Sequence, residues 1–126
     1  MPTAITIHFG DVVIAAELDE NPTATLIEEA LPIESEVNRW GEEIYFPIPV
    51  EAELDDTARD VVERGELGYW PEGRALCIFF GPTPASKGDE IRPASAVNIV
   101  GRIKGDHTVL RTIREGTTVH VEKEQQ

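Results

Sequence analysis

The period of the apolar residues constrains this chain more than any other feature. Ile5, Ile7 and Phe9 alternate with Thr6 and His8, Gly10-Asp11 interrupts, and Val12, Ile14, Ala16 and Leu18 alternate again. A period of two sends successive side chains to opposite faces of a strand, so the opening reads as a β-hairpin. The period then changes. Asn21 is placed to cap a helix with Pro22 at its first position, where a missing N–H costs nothing. Leu26, Ile27, Ala30 and Leu31 supply one apolar stripe, and Pro32 ends the helix.

Beyond that point the runs are short again. Ile33 to Trp40 alternates acidic and apolar residues, and Glu43 to Val50 places Ile44, Phe46, Ile48 and Val50 on one face, with Pro47 and Pro49 confining it to an edge or strand end. Glu51 to Asp56 is an acidic connector, Ala58 to Glu63 a further strand, and Gly65 and Gly68 frame a turn. Ala75 to Phe80 is apolar on both faces, as a strand covered on both sides requires. Gly81 to Ser95, with three prolines and Gly88, reads as a long functional or mobile connection. Val97 to Ile103 is a strand, Asp106 caps a short helix through Ile113 with Val109, Leu110 and Ile113 inward, and Val119 and Val121 mark a last strand. About eight short strands with helices near 22–31 and 107–114 describe a mainly β chain, a closed eight-stranded barrel with two short helices capping it. The whole of 1–126 reads as a single domain, with its core at about 3–122.

Composition narrows the partners. Residues 1–63 hold 16 acids against 2 bases and residues 64–126 hold 8 against 9, so the net charge of −13 lies almost wholly in the first half. Such a surface repels phosphate backbones, which excludes nucleic acid as an expected partner. No apolar run approaches the roughly 20 residues of a membrane span, and no basic amphipathic stretch suggests a membrane surface. The start carries no signal-peptide pattern, so a cytoplasmic location is expected, as a monomer or weak homodimer. Cys77 stands alone within Ala75 to Phe80, which excludes an internal disulfide and favours a buried, inert thiol. His8, His107 and His120 show no ligand spacing, so no metal and no cofactor are expected. The pairs Glu42/Glu43, Glu51/Glu53 and Asp55/Asp56 match no calcium loop and read as a solvated acidic face.

Several longer motifs resemble a known family. Leu18-Asp19-Glu20-Asn21-Pro22-Thr23-Ala24-Thr25-Leu26 resembles the strand-to-helix segment of cyclophilins, and Val97 to Asp106 resembles the strand that leads into their second helix. Trp40-Gly41-Glu42-Glu43-Ile44-Tyr45-Phe46, Gly68-Tyr69-Trp70-Pro71-Glu72-Gly73, Ala75 to Pro84 and Pro93 to Asn98 resemble a prokaryotic group described only as cyclophilin-like. The resemblance covers about residues 3–122 and implies the cyclophilin fold without an assigned activity. Cyclophilins isomerise the bond before proline with an arginine, a Phe-Met pair, and a Gln, Trp and His along a groove. Aligned on Gly73, the arginine falls on or near Tyr69, Phe-Met on Arg74-Ala75 and Gln on Cys77. Aligned on Gly101, the Trp falls near Arg92 and the His near Val97. None of these types is retained, so isomerase activity is expected to be absent or weak.

What the resemblance leaves is a groove. Eight aromatic residues serve the chain, and seven lie between Trp40 and Phe80. Trp40, Tyr69 and Trp70 read either as core or as a stacking wall; Arg74 and Arg92 either as surface partners of carboxylates or as forks for a carboxylate or phosphate. Asn98 reads as a polar contact or as a structural hydrogen bond. With the loop 81–95 as a roof, these six residues are the candidate site for a small anionic ligand or a peptide. An atypical prolyl isomerase and a protein-interaction module built on Pro82 to Pro93 are the alternatives.

Overall fold

The computed structural model describes residues 2–124. Ten strands form one antiparallel sheet: β1 (Thr3–Phe9), β2 (Val12–Leu18), β3 (Ile33–Glu36), β4 (Asn38–Arg39), β5 (Glu43–Pro47), β6 (Ala58–Arg59), β7 (Glu66–Trp70), β8 (Ala75–Phe79), β9 (Val97–Lys104) and β10 (Thr118–Lys123). The hydrogen-bonded path runs β3-β10-β1-β2-β9-β7-β8-β5-β4, with β6 also against β9. No ladder joins β3 to β4 among the described residues, so the sheet is not the closed eight-stranded barrel that the periodicity predicts. The chain itself gives the reason. β3 and β4 flank Val37, whose N–H donates to the Thr117 carbonyl and whose carbonyl accepts from Gly116 N–H. One half of the run pairs with β10 and the other with β5, so the two ends of the path meet through the covalent chain.

The opening hairpin forms as its period dictates, with Ile5 opposite Ala16 and Ile7 opposite Ile14. Their side chains share a core with Ile44 and Phe46 of β5 and Leu76 and Ile78 of β8. Each fully buried aliphatic or phenyl side chain contributes about 2 kcal/mol by its transfer from water. Helix α1 (Pro22–Ala30) begins where Asn21 accepts the Ala24 N–H, and it buries Ala24 and Ile27. Leu26 is not part of its buried stripe: it is 41% exposed. The second predicted helix is shorter and tighter, a 3-10 helix at Thr108–Thr112. Asp106 accepts from the N–H and hydroxyl of Thr108 at its start, and Leu110 and Ile113 are buried.

Three local expectations change. Gly68 does not frame a turn; it lies inside β7 at a register shift against β9, where an added Cβ would sit 2.7 Å from Val97 Cγ2. A single 3-10 turn, Pro71–Gly73, connects β7 to β8 and ends at Arg74 in the left-handed region. The strand expected at 58–63 contracts to β6 and an isolated bridge from Val62 to Ile91. That bridge explains why β8 is apolar on both faces. The segments around Val62 and Ile91 fold over its outer side and form a second small core with Cys77, Phe79 and Val97.

Candidate functional site

Strand parity builds the site. On β5, Ile44 and Phe46 enter the main core, so Glu43 and Tyr45 stand on the opposite face. The register puts Glu43 opposite Phe79 and Tyr45 opposite Cys77, while β7 puts Gly68 opposite Cys77 and Trp70 opposite Ala75. Small residues on the central strand, Ala75 and Cys77, therefore lie between large rings on either side. The result is a concavity of about 190 Å³ bounded by Trp40, Tyr45 and Trp70, with Pro93 and Ala94 from the loop and Val97 from β9. The Tyr45 and Trp70 rings meet at 81° with centroids 6.0 Å apart, an aromatic corner. Trp70 is held by its indole N–H, which donates to Ser95 Oγ at 2.6 Å.

The inner end of this pocket is polar. Glu43 is only 5% exposed, and it lines the cavity beside the wholly buried Cys77. It does not belong to a solvated acidic face, as its pairing with Glu42 in sequence suggests. Burial raises its carboxyl from 4.5 to about 7, against the Cys77 thiol, whose hydrogen bond pulls the other way. Burial likewise pushes the Cys77 thiol well up, helped by the charge and hydrogen bond of Glu43. A thiol in that state is a poor nucleophile, because the thiolate is the reactive form. Glu43 Oε1 has no hydrogen-bond partner among the described residues. A carboxyl oxygen left so is costly, since its desolvation goes uncompensated by about 1–3 kcal/mol or more.

The six residues singled out from sequence do not converge on one cavity. Trp40 and Trp70 share the pocket just described. Tyr69 is fully buried in the main core and donates its hydroxyl to the Val50 carbonyl at 2.6 Å. Its edge also borders a larger, open groove of about 770 Å³ with Glu51, Leu54, Pro71 and Arg74. Arg74 is 65% exposed and pairs with Glu51 at 2.6 Å. Arg92 sits in the loop and donates from Nε to Glu90 at 2.7 Å. Asn98 is enclosed: it accepts the Asp55 N–H and donates to Thr23 Oγ1 and the Glu53 carbonyl, tying β9 to α1 and the acidic connector. Around it, burial raises the Asp55 carboxyl, but hydrogen bonds from Thr57 and Thr23 outweigh that and leave it lowered.

The loop 81–95 is ordered by its own polar side chains. Ser86 Oγ accepts the N–H groups of Thr83 and Arg92, and Thr83 Oγ1 donates to the Arg92 carbonyl. Only its last part, Pro93 and Ala94, reaches the pocket. Sequence reasoning missed Glu43 and gave Cys77 no role beside it. A signal was available: Glu43 shares parity with Tyr45, and a β8 strand apolar on both faces needs an outer cover that would enclose its neighbours.

A mainly β fold built on one ten-stranded antiparallel sheet defines the class. The chain belongs to the cyclophilin-like family, whose profile matches residues 3–122. Among solved structures it is similar to the hypothetical protein AF2241 from Archaeoglobus fulgidus, known from solution, at 44% identity and a TM-score of 0.83, over 98% of this chain and 95% of that one. It is also similar to McbB in complex with tryptophan, at 17% identity and a TM-score of 0.72, over 97% of this chain and 45% of that one, a likeness of fold. No curated protein matches the chain. No helix among the described residues is long and apolar enough to cross a membrane.

Proposed function

We propose that this protein is a ligand-binding member of the cyclophilin-like family, and that its ligand presents one ring or ring-sized apolar group to the pocket between Trp40 and Trp70. The observation that carries this reading is the combination of three aromatic walls with a buried carboxyl in one concavity of about 190 Å³. Binding pockets are mainly apolar with a few placed polar groups, and a cavity of roughly 150 Å³ in another protein holds benzene. The anionic ligand suggested by Arg74 and Arg92 is less well supported, because neither arginine lines this pocket and each is paired with a glutamate. An anion or an acidic peptide would have to use the open groove beside Arg74. Prolyl isomerisation needs a donor aimed at the twisting amide, and the Tyr69 hydroxyl that would substitute for the arginine is already spent on Val50. An interaction surface on the loop is weakened by Ile91 and Pro93, which are turned inward.

The chain contains two tryptophans, and both line the pocket. Their two indole N–H signals in a proton–nitrogen correlation spectrum therefore report on it directly. Titration with benzyl alcohol as a neutral ring probe is expected to move both indole signals together with the amides of Tyr45 and Cys77. Shifts confined to Glu51, Leu54 and Arg74 would transfer the site to the open groove and refute the assignment.

A further inference from the structure

The pocket has an unmet chemical demand, and the demand specifies a ligand class. Glu43 is 95% enclosed by its surroundings, lines the cavity and leaves Oε1 without a donor. Resting on the reading of the pocket as a binding site, we propose that Glu43 anchors the ligand and that the ligand is an organic ammonium: a ring-sized apolar body carrying a protonated amine. A ring without a donor would fill the space and give the Glu43 carboxyl no partner. A carboxylate or phosphate would meet a like charge at the inner end, with no cation among the lining residues to offset it.

Four features of the site favour the cation. An ammonium N–H gives the Glu43 carboxyl a donor, in a charge-assisted bond stronger than a neutral one. The walls are Trp40, Tyr45 and Trp70, and aromatic faces attract a cation through their ring quadrupoles. The Tyr45–Trp70 corner gives two such surfaces nearly at right angles, so a rounded cationic head can touch both. The net charge of −13 attracts cations to the molecule as a whole. The ready neutralisers are engaged elsewhere: Arg74 with Glu51, Arg92 with Glu90 and Arg111 with Glu42 at 3.6 Å. Nε1 of Trp70 already donates to Ser95.

The test compares three probes of one shape, benzylammonium, benzyl alcohol and benzoate, by tryptophan fluorescence and indole N–H shifts at pH 8. The expected order is benzylammonium at least about tenfold tighter than benzyl alcohol, with benzoate not binding. Glu43→Gln is expected to abolish the preference for benzylammonium over benzyl alcohol. Equal affinity for ammonium and alcohol, or a preference for benzoate, overturns the proposal and leaves the ring pocket standing. Failure of all three to move the indole signals overturns both. The comparison among probes is made on the natural chain, so it decides the matter even where Glu43→Gln folds poorly.

Discussion

The buried carboxyl makes a thermodynamic prediction that needs no ligand. Glu43 rises from 4.5 to about 7 in the folded chain because burial disfavours its charged form. Between those values the folded chain holds a proton that the unfolded chain has released. Stability from this group is therefore complete below pH 4.5 and is lost as pH rises through about 7. The rise corresponds to about 3 kcal/mol, a large share of the stability of a small domain. Glu43→Gln removes the titration and keeps the shape. It also brings two amide donors to a place that held an acceptor, a cost of about 1–3 kcal/mol that does not vary with pH. The sign of the change at one pH is thus uninformative, and its slope is the measurement. Urea unfolding followed by tryptophan fluorescence at several values from pH 4 to pH 8 supplies it. The difference between variant and natural chain should move in favour of the variant by about 3 kcal/mol across that range. Asp55, Glu28, Glu90 and Asp106 are lowered by their partners and lose stability in acid, but both proteins share them and they cancel. A difference that stays flat within about 0.5 kcal/mol would show that Glu43 titrates like a solvated carboxyl, and the account of the pocket's inner end would fail.

Asn98→Ala removes three hydrogen bonds and strands the Asp55 N–H and the Glu53 carbonyl, so a loss of about 3 kcal/mol is expected in urea unfolding, with ring-probe binding by the folded protein unchanged. Lost probe binding with unaltered stability would instead make Asn98 a ligand contact. Gly101→Ala places a Cβ 2.1 Å from the Glu17 carbonyl oxygen across the β2–β9 ladder, which backbone alone can relieve; a cost of at least about 2 kcal/mol is expected, and a neutral effect would refute the register. Cys77 should resist an aromatic disulfide reagent at pH 8 until denaturant is added, since its thiol is buried and its pKa is raised. Rapid native labelling would show that the pocket opens to its inner end. Arg74→Gly relieves a left-handed residue at φ 48° and removes only an exposed ion pair, so a gain of about 0.5–1 kcal/mol is expected by thermal or urea unfolding.

Local rules reached those parts of the molecule whose causes are local. The alternation of Ile5 to Leu18 specified the first hairpin, Asn21 and Pro22 specified the start of α1, and the Asp106 turn appeared where its side chain can accept neighbouring N–H groups. The motifs around Trp40, Trp70 and Gly101 were enough to point to the family, and the concentration of aromatics marked the right part of the chain. Tertiary structure alone decided what each face meets. Period two assigns Glu43 and Ile44 to opposite faces but does not state which face is covered, and the cover over β8 comes from segments near Val62 and Ile91. The same lack hid the roles of Tyr69 and Asn98: their side chains suit a ligand as well as a neighbour, and only long-range pairing gave them Val50, Thr23 and Glu53. Closure of the sheet had a similar cause. A run of alternating residues from 33 to 40 reads as one strand, and the Val37 break that lets its halves pair with different partners is imposed by residues 116 and 117, some eighty positions away in sequence. Burial and register are properties of pairs distant along the chain, and the pocket is made of both.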